Sequence, residues 1–198
     1  MKNVVILISG RGSNMQSLVK ANLPCKIAAV ISNKADAAGL AFAAEHDIPT
    51  AVLSHKDFSS REAFDEAMAS LIDSYNPDLV VLAGFMRILS PSFVKHYEGR
   101  LLNIHPSLLP SFKGLHTHQQ ALDAGVKLHG CSVHFVTAEL DHGPIVAQAA
   151  VPVQDGDDED TLAARVLTQE HQLYPQAVRW FVEDKLQILE NGTVRIRT

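Results

Sequence analysis

Short runs of apolar residues constrain the fold of this chain more than any other feature. Residues 4–8 and 79–83 are entirely apolar, and residues 26–32 are mostly so. A strand with apolar side chains on both sides has to be covered on both faces, which is typical of a parallel sheet. Helical patterns lie between these strands, and the longest opens with Ser59 and Glu62 at the spacing of a capping box. The alternation predicts a three-layer α/β fold with a mostly parallel sheet and right-handed crossovers.

The pattern changes after Pro110. Residues 131–136 alternate like a strand and residues 145–153 predict a further strand, and the short connection between them predicts an antiparallel pair. A long amphipathic helix is predicted over residues 161–184, followed by a small hairpin with its turn at residues 191–192. With 198 residues and no linker or repeat, the chain is expected to form a single domain over residues 1–198.

Composition argues against several classes of protein. Hydrophobic residues make up 46% of the chain, which is too many for a disordered protein. The net charge is −5 and the basic residues are scattered, so no nucleic-acid partner is expected. The apolar run at residues 4–8 is too short for a signal sequence or a membrane span. Cys25 and Cys131 have no metal-ligand spacing, so they are predicted to be reduced thiols of a cytoplasmic protein.

A glycine-rich loop follows the first predicted strand. It reads Ser9-Gly10-Arg11-Gly12-Ser13-Asn14 and leads directly into a helical pattern. Backbone N–H groups and the positive end of a helix dipole suit a phosphate group. Met15 stands where a dinucleotide fingerprint has its third glycine, and no Gly-Lys-Ser/Thr follows, so neither that motif nor a P-loop is present. A tight strand-to-helix turn without a ligand remains the alternative.

The stretch Leu101-Leu102-Asn103-Ile104-His105-Pro106 predicts a buried strand that ends abruptly. Proline has no N–H group, so the chain has to leave the sheet at Pro106. Strand side chains alternate, and Asn103 and His105 therefore share one face. Ligands of open parallel sheets bind just outside the carboxyl ends of the strands. The pair is a candidate ligand site, and a polar pair that only caps the strand is the alternative.

Five segments, taken together, resemble the phosphoribosylglycinamide formyltransferases, a folate-dependent branch of the formyltransferase family. The similarity covers nearly the whole chain, and the matching segments are residues 8–14, 82–91, 103–110, 114–118 and 169–171. The resemblance implies a Rossmann-like sheet with an antiparallel C-terminal extension. It also implies transfer of a formyl group from 10-formyltetrahydrofolate, as co-substrate, to the amine of glycinamide ribonucleotide in purine biosynthesis, without a metal. The expected partners are these small molecules, and the expected state is a monomer or a weak homodimer.

The resemblance assigns catalysis to Asn103, His105 and Asp141, and the chemistry suits these residue types. Attack of an amine on a formyl amide forms a tetrahedral carbon that carries an oxyanion. Asn103 and a protonated His105 can both donate hydrogen bonds to that oxygen, and one such donor is typically worth about 3 kcal/mol. The carboxylate of Asp141 favours the charged imidazolium. His105 can then give a proton to the leaving folate nitrogen.

The resemblance also assigns two sets of binding residues. The ribonucleotide is expected to bind Gly12, Ser13 and Asn14 through its phosphate and Glu170 through its other end. The folate is expected to bind Arg61, Met86, Arg87, Ile88, Leu89, Asn103, Thr137, Ala138, Glu139, Leu140 and Asp141. Residues 1–100 are therefore the expected phosphate-binding half, and residues 101–198 the expected catalytic and folate-binding half. For Glu170, the alternative is an acid on an exposed helix face.

The chain departs at two positions from the pattern of the family that it resembles. Arg11 stands where some members of that family have asparagine, and His142 replaces a glycine that commonly follows the catalytic aspartate.

Three alternative functions remain. Other formyl-handling enzymes of the family, which normally carry an additional domain, are the first. A metal-dependent hydrolase is another, because the chain has ten histidines; the candidate ligands are His105, His116, His118, His134 and His142. A nucleotide-binding regulator that uses only the glycine-rich loop is the third.

Overall fold

A computed structural model describes all residues 1–198 of the chain. The first part alternates strands and helices: β1 (Asn3–Ile8), α1 (Ser13–Lys20), β2 (Lys26–Ser32), α2 (Gly39–Glu45), β3 (Thr50–Val52), α3 (Arg61–Asp73), β4 (Leu79–Leu82), α4 (Pro91–His96) and β5 (Leu101–His105). The second part contains α5 (Thr117–Ala124), β6 (Leu128–Phe135), β7 (Ile145–Pro152), α6 (Glu159–Val182), β8 (Leu186–Ile188) and β9 (Val194–Ile196).

Seven of these strands form one sheet, in the order β3-β2-β1-β4-β5-β6-β7. Strand β1 pairs in parallel with β2 and β4, and β2 pairs in parallel with β3. Strands β6 and β7 pair antiparallel, as do β8 and β9 in a separate small sheet. The structure therefore confirms the predicted α/β fold, a mostly parallel sheet with an antiparallel C-terminal extension.

The chain divides into two compact units, Met1–Leu102 and Asn103–Thr198. In the first unit, every residue of β1 after Asn3 and every residue of β4 is buried. This burial explains the continuous apolar runs, since each such side chain contributes roughly 1.5–3 kcal/mol when it leaves water. Helix α3 begins at Arg61, and its N-cap is Ser60, whose Oγ accepts the N–H of Ala63 at 3.1 Å. The capping-box spacing of Ser59 and Glu62 therefore does not supply the cap.

The second unit is built on the pair β6–β7 and on helix α6. At Gly130 an added Cβ would lie 1.9 Å from the carbonyl oxygen of Ala149, so only glycine allows the two strands to approach this closely. Helix α6 begins two residues before the predicted start at residue 161. Asp158 is the reason: its carboxylate accepts the N–H of Thr161 at 2.8 Å, and the Thr161 hydroxyl accepts the N–H of Asp158 at 3.0 Å. No helix in the chain is both long enough and apolar enough to span a bilayer.

Candidate active site

The carboxyl end of β5 carries the two polar side chains that the sequence singled out. Leu101, Leu102 and Ile104 are buried, and His105 has only 6% of its surface exposed. The turn that follows is held by side chains of the same unit. The Ser107 hydroxyl donates to the Ser111 carbonyl at 2.6 Å. The Leu109–Pro110 peptide in this turn is cis.

His105 and Asp141 form a buried pair. Nδ1 of His105 lies 3.4 Å from Oδ1 of Asp141, and the two side chains are 7% and 8% exposed. Asp141 comes from the loop between β6 and β7 and has a left-handed backbone conformation, with φ of 52°. Its second carboxylate oxygen, Oδ2, accepts the N–H of Gly114 at 2.9 Å. The fold therefore brings the predicted acid to the predicted imidazole and orients it through a backbone donor.

The other ring nitrogen of His105 is also engaged. Nε2 lies 3.0 Å from the carbonyl oxygen of Phe112, and a carbonyl can only accept, so Nε2 carries a proton. Nδ1 is then the nitrogen that faces the carboxylate of Asp141. A lone pair at Nδ1 would face a negative charge, whereas an N–H would meet an acceptor. Each ring nitrogen of His105 therefore faces a protein acceptor, Nε2 the Phe112 carbonyl and Nδ1 the Asp141 carboxylate.

The side chain of Asn103 contacts His134 rather than its strand neighbour His105. Its Nδ2 lies 3.4 Å from Nε2 of His134, a residue of β6 that is only 2% exposed. Nδ1 of His134 lies 3.0 Å from the carbonyl oxygen of Phe135. Burial lowers the pKa of His134, which favours the neutral ring. The amide of Asn103 therefore has a defined partner of its own.

The glycine-rich loop closes onto helix α1 as predicted. Gly12 is the N-cap of α1 with φ of 68°, a left-handed conformation that glycine adopts without strain. The N-cap residue Gly12 makes no side-chain capping hydrogen bond at this helix start. The N–H of Gly39 donates to the carbonyl of Gly10 at 3.1 Å and anchors the loop. Arg11 is exposed, whereas Asn14 is 9% exposed.

The predicted folate residues of the first unit present exposed apolar groups beside fixed polar ones. Met86 and Ile88 are 67% and 63% exposed, which is unusual for large apolar side chains. The backbone N–H of Met86 donates to the Ser9 hydroxyl at 2.8 Å. The guanidinium of Arg87 lies 5.0 Å from the centre of the Phe64 ring. Of the remaining two residues of this set, Arg61 at the start of α3 is exposed and Leu89 is half-buried.

The predicted folate residues of the second unit lie on the loop before Asp141. Thr137, Ala138, Glu139 and Leu140 are all exposed, whereas Asp141 is buried. The Thr137 hydroxyl donates to the carbonyl of Glu139 at 3.3 Å, which gives the loop an internal hydrogen bond. The segment therefore combines a fixed carboxylate with open backbone and apolar surface, as a flat heterocycle requires.

Glu170 is not an exposed helix-face acid. It lies on α6 and is only 8% exposed, which contradicts that alternative. Its negative charge acts together with burial on the Cys131 thiol, whose pKa is raised to about 12. A buried carboxylate is costly unless it is paired or hydrogen-bonded, so its position favours a specific contact.

The histidines do not gather as a metal site would require. No three His, Cys, Asp or Glu side chains form a group that could hold a metal ion. His118 contacts His129, with Nδ1 and Nε2 3.1 Å apart, while His116 points toward Glu159 at 3.5 Å. His142 is exposed and contacts the Lys113 ammonium at 3.3 Å. His116 and His118 therefore contact different residues, and the histidines do not form the ligand cluster on which the alternative of a metal-dependent hydrolase depended.

The sequence did not identify three groups that contact the candidate catalytic residues. They are the Phe112 carbonyl, the Gly114 N–H and the His134 ring, which the sequence offered only as a candidate metal ligand. Backbone groups carry no signal in a sequence. For His134, its place on a buried strand among apolar neighbours was the available signal, since a buried histidine needs a polar partner.

Comparison with known proteins identifies the family of this chain. The formyl transferase family model matches residues 2–178. Phosphoribosylglycinamide formyltransferase of Escherichia coli is 58% identical over 96% of this chain and 92% of that protein. The trifunctional purine biosynthetic protein adenosine-3 of Bos taurus is 48% identical over 96% of this chain, which corresponds to 19% of that protein. Glycinamide ribonucleotide transformylase 1 of Symbiobacterium toebii has a crystal structure that superposes with a TM-score of 0.96 at 44% identity, covering 100% of this chain and 95% of that one. The chain belongs to the formyl transferase family.

Proposed function

We infer that this chain is an enzyme that transfers a formyl group to the amine of phosphoribosylglycinamide, the purine-biosynthetic reaction for which its relatives are named. The observation that carries this inference is the buried His105–Asp141 pair at the end of β5, within a chain that is 58% identical to such an enzyme. The similarity extends over 92% of that relative, which favours this reaction over those of family members with additional domains.

We propose 10-formyltetrahydrofolate as the donor and a direct transfer as the mechanism. The substrate amine attacks the formyl carbon, a new C–N bond forms, and the carbonyl electron pair moves onto oxygen. The Asn103 N–H donates to this oxyanion, and the positive charge of the His105 ring stabilises it. The carbonyl then re-forms and the bond to folate N10 breaks. The amine loses one proton and N10 gains one, so the reaction balances without a covalent enzyme intermediate.

Different roles are proposed for the two ring nitrogens of His105. Nε2–H is held by the Phe112 carbonyl, so Nδ1 is proposed to deliver the proton to N10. Asp141 holds the charge of the ring through Oδ1 and is itself held by the Gly114 N–H through Oδ2. A proton returned from the substrate amine reaches this pair directly or through a water molecule. Preorganised groups of this kind are effective because they do not reorganise during the reaction.

We propose that the ribonucleotide phosphate binds the loop Gly12, Ser13 and Asn14. The support is the left-handed N-cap at Gly12, which makes no side-chain capping hydrogen bond at the start of α1. Backbone donors and a helix dipole both favour a dianion at such a place. Glu170 is proposed to accept hydrogen bonds from the ribose or the glycine amine, which its burial on α6 supports.

The folate is proposed to bind two loop segments, each at the end of a buried strand. Met86, Arg87, Ile88 and Leu89 follow β4, and Thr137, Ala138, Glu139, Leu140 and Asp141 follow β6. Arg61 is proposed to meet the glutamate tail. The exposed side chains of Met86 and Ile88 support the assignment, because a pterin ring buries apolar surface that these side chains otherwise expose to water.

The decisive test is an absorbance assay for deformylated folate. Purified enzyme is mixed with 10-formyltetrahydrofolate, with and without glycinamide ribonucleotide. We expect rapid turnover that requires the ribonucleotide and survives a chelator. Deformylation at the same rate without the acceptor would instead indicate a hydrolase, and ribonucleotide binding without any turnover would indicate a regulator.

The remaining expectations belong to the same proposal. Residues 1–198 are proposed to act as a single cytoplasmic domain on small molecules, without a nucleic-acid or membrane partner. The state in solution is proposed to be a monomer or a weak homodimer. Sedimentation over a wide concentration range tests this: a single species of 21.6 kDa, or a concentration-dependent dimer, is the expected result. A larger stable assembly would contradict it.

A further inference from the structure

The amide of Asn103 is held by His134, a residue without a role in the mechanism above. Nδ2 of Asn103 lies 3.4 Å from Nε2 of His134. His134 lies on β6, which neighbours β5 in the sheet. The ring is 2% exposed, so solvent does not compete for this contact. The direction of this hydrogen bond depends on whether Nε2 of His134 carries a proton.

The tautomer of His134 follows from its other nitrogen. Nδ1 lies 3.0 Å from the Phe135 carbonyl, which can only accept, so Nδ1 carries the proton. In the neutral ring Nε2 then has a lone pair. An amide oxygen turned toward that lone pair would be repelled, whereas the amide N–H group is attracted. The contact therefore distinguishes the two ends of an amide that are otherwise almost alike.

We propose that His134 is a positioning residue that fixes the orientation of the Asn103 amide. One N–H of Nδ2 donates to Nε2 of His134, and the second N–H is thereby available for the oxyanion. If the amide turned over, Asn103 would present a carbonyl oxygen to the developing negative charge. The inference rests on the proposed function, and it adds a residue whose effect on the reaction passes through Asn103.

A close backbone contact holds this arrangement in place. An added Cβ at Gly143 would lie 1.5 Å from the carbonyl oxygen of Phe135 and 3.4 Å from Nδ1 of His134. The N–H of Phe135 donates to the carbonyl of Pro144 at 2.9 Å. The loop that carries Asp141 therefore packs directly on the carbonyl that sets the tautomer of His134. Only glycine leaves room for both.

The neighbouring charges oppose each other at His134. Asp141 favours a protonated His134 ring, while His105 disfavours it. Burial outweighs both effects and lowers the pKa of His134, consistent with the neutral ring. Protonation would place an N–H at Nε2, and the amide would have to turn its oxygen toward it.

A double-mutant cycle tests the inference, with His134→Leu and Asn103→Ala as the single changes. In the wild-type protein, we expect His134→Leu to lower kcat at least about tenfold. This loss should be smaller than the roughly 10²–10³-fold loss that is typical when an oxyanion donor is deleted. The KM values should change little. In the Asn103→Ala background, the same change should have less than about a twofold effect, because the amide that it orients is gone. Equal losses in both backgrounds would overturn the inference.

His134→Gln is the matched conservative variant. Its side-chain oxygen can accept from Asn103 as Nε2 does, so we expect it to recover most of the kcat lost in His134→Leu. A glutamine variant as impaired as the leucine variant, with wild-type thermal unfolding, would count against the inference. Absence of turnover in the wild type would refute the proposed function itself, so the two failures are distinguishable.

A spectroscopic measurement does not depend on turnover. In ¹⁵N-labelled protein, the ring nitrogens of His134 should show a protonated Nδ1 and an unprotonated Nε2 at neutral pH. The Asn103 side-chain amide should shift on substitution of His134. A protonated Nε2 would contradict the inference.

Discussion

The two compact units of the molecule hold their proposed functional groups in different ways. In Met1–Leu102 several of the proposed ligand contacts are loop residues with exposed side chains, such as Met86 and Ile88. In Asn103–Thr198 the proposed catalytic side chains of His105 and Asp141 are buried, and each has a backbone partner. Binding tolerates adjustable side chains, whereas proton transfer and charge stabilisation need groups that are already in place. Substitutions at the binding residues of the first unit and at the buried pair of the second should therefore separate KM from kcat.

The largest effect is expected at the buried pair. His105→Ala and Asp141→Asn should each lower kcat by roughly 10²–10⁴-fold, because both remove a group that handles a proton or a charge during the reaction. Ribonucleotide affinity, measured by calorimetry, should remain nearly intact. Asp155→Asn, a change to an exposed acid in the turn before α6, is the matched control. Wild-type turnover in either variant would contradict the catalytic roles proposed for His105 and Asp141.

The glycine-rich loop should show the opposite pattern. Ser13→Ala and Asn14→Ala should each raise KM for the ribonucleotide roughly 10- to 150-fold, because a hydrogen bond to a charged group is worth roughly 1.5–3 kcal/mol. The KM for the folate and kcat should change little. Lys20→Ala, at the other end of α1, serves as the control. Equal weakening of both substrates would reject the phosphate assignment.

Acid should destabilise the chain through a buried histidine of Asn103–Thr198. Burial lowers the pKa of His129 to about 4, below its usual value of 6.5. Between these two values the unfolded chain binds a proton at this site that the folded chain does not. The stability linked to His129 is therefore complete above pH 6.5 and falls as the pH drops toward 4, by at most about 1.4 kcal/mol per pH unit.

Thermal unfolding between pH 4 and 8 measures this dependence. His129→Gln should flatten the slope over the acidic half of the range, while His46→Gln, at an exposed position at the end of α2, should leave it unchanged. A slope that His129→Gln does not alter would assign the acid sensitivity to another group.

The smallest effect is expected at Ser9. Its hydroxyl donates to Oδ1 of Asn33 at 2.6 Å and accepts the N–H of Met86 at 2.8 Å. Ser9→Ala should raise KM for the folate about fivefold, the equivalent of one hydrogen bond of about 1 kcal/mol, and leave kcat unchanged. Ser9→Thr retains the hydroxyl and is the control. A lower kcat with a normal KM would show that this loop takes part in the chemistry. Catalytic groups would then not be confined to the second unit.

Much of the fold was predictable because local patterns and packing agree. Strand β2 has the predicted bounds, and β1, β4 and β5 lie where the apolar runs place them. The errors occur where a side-chain cap competes with the apolar pattern. Helix α3 is capped by Ser60 rather than Ser59, and α6 starts early because Asp158 caps it.

The candidate site was predictable in its side chains but not in its supports. Asn103 and His105 could be assigned to one face of a strand end, because alternation along a strand is a local rule. The family resemblance supplied Asp141. The Phe112 carbonyl and the Gly114 N–H could not be predicted, because every residue carries such groups and only the folded loop selects which ones point at a ring or a carboxylate.

By itself, the sequence determined the alternating strands and helices, the abrupt end of β5 at Pro106 and the residue types of a formyl-transfer site, because these depend on short-range patterns of hydrophobicity and backbone chemistry. The tertiary structure alone decided that Nδ1 of His105 faces Asp141, that Gly114 holds the carboxylate and that His134 holds Asn103. These contacts join residues far apart in the chain. Their geometry depends on how the loops close over the strand end, which no local pattern specifies.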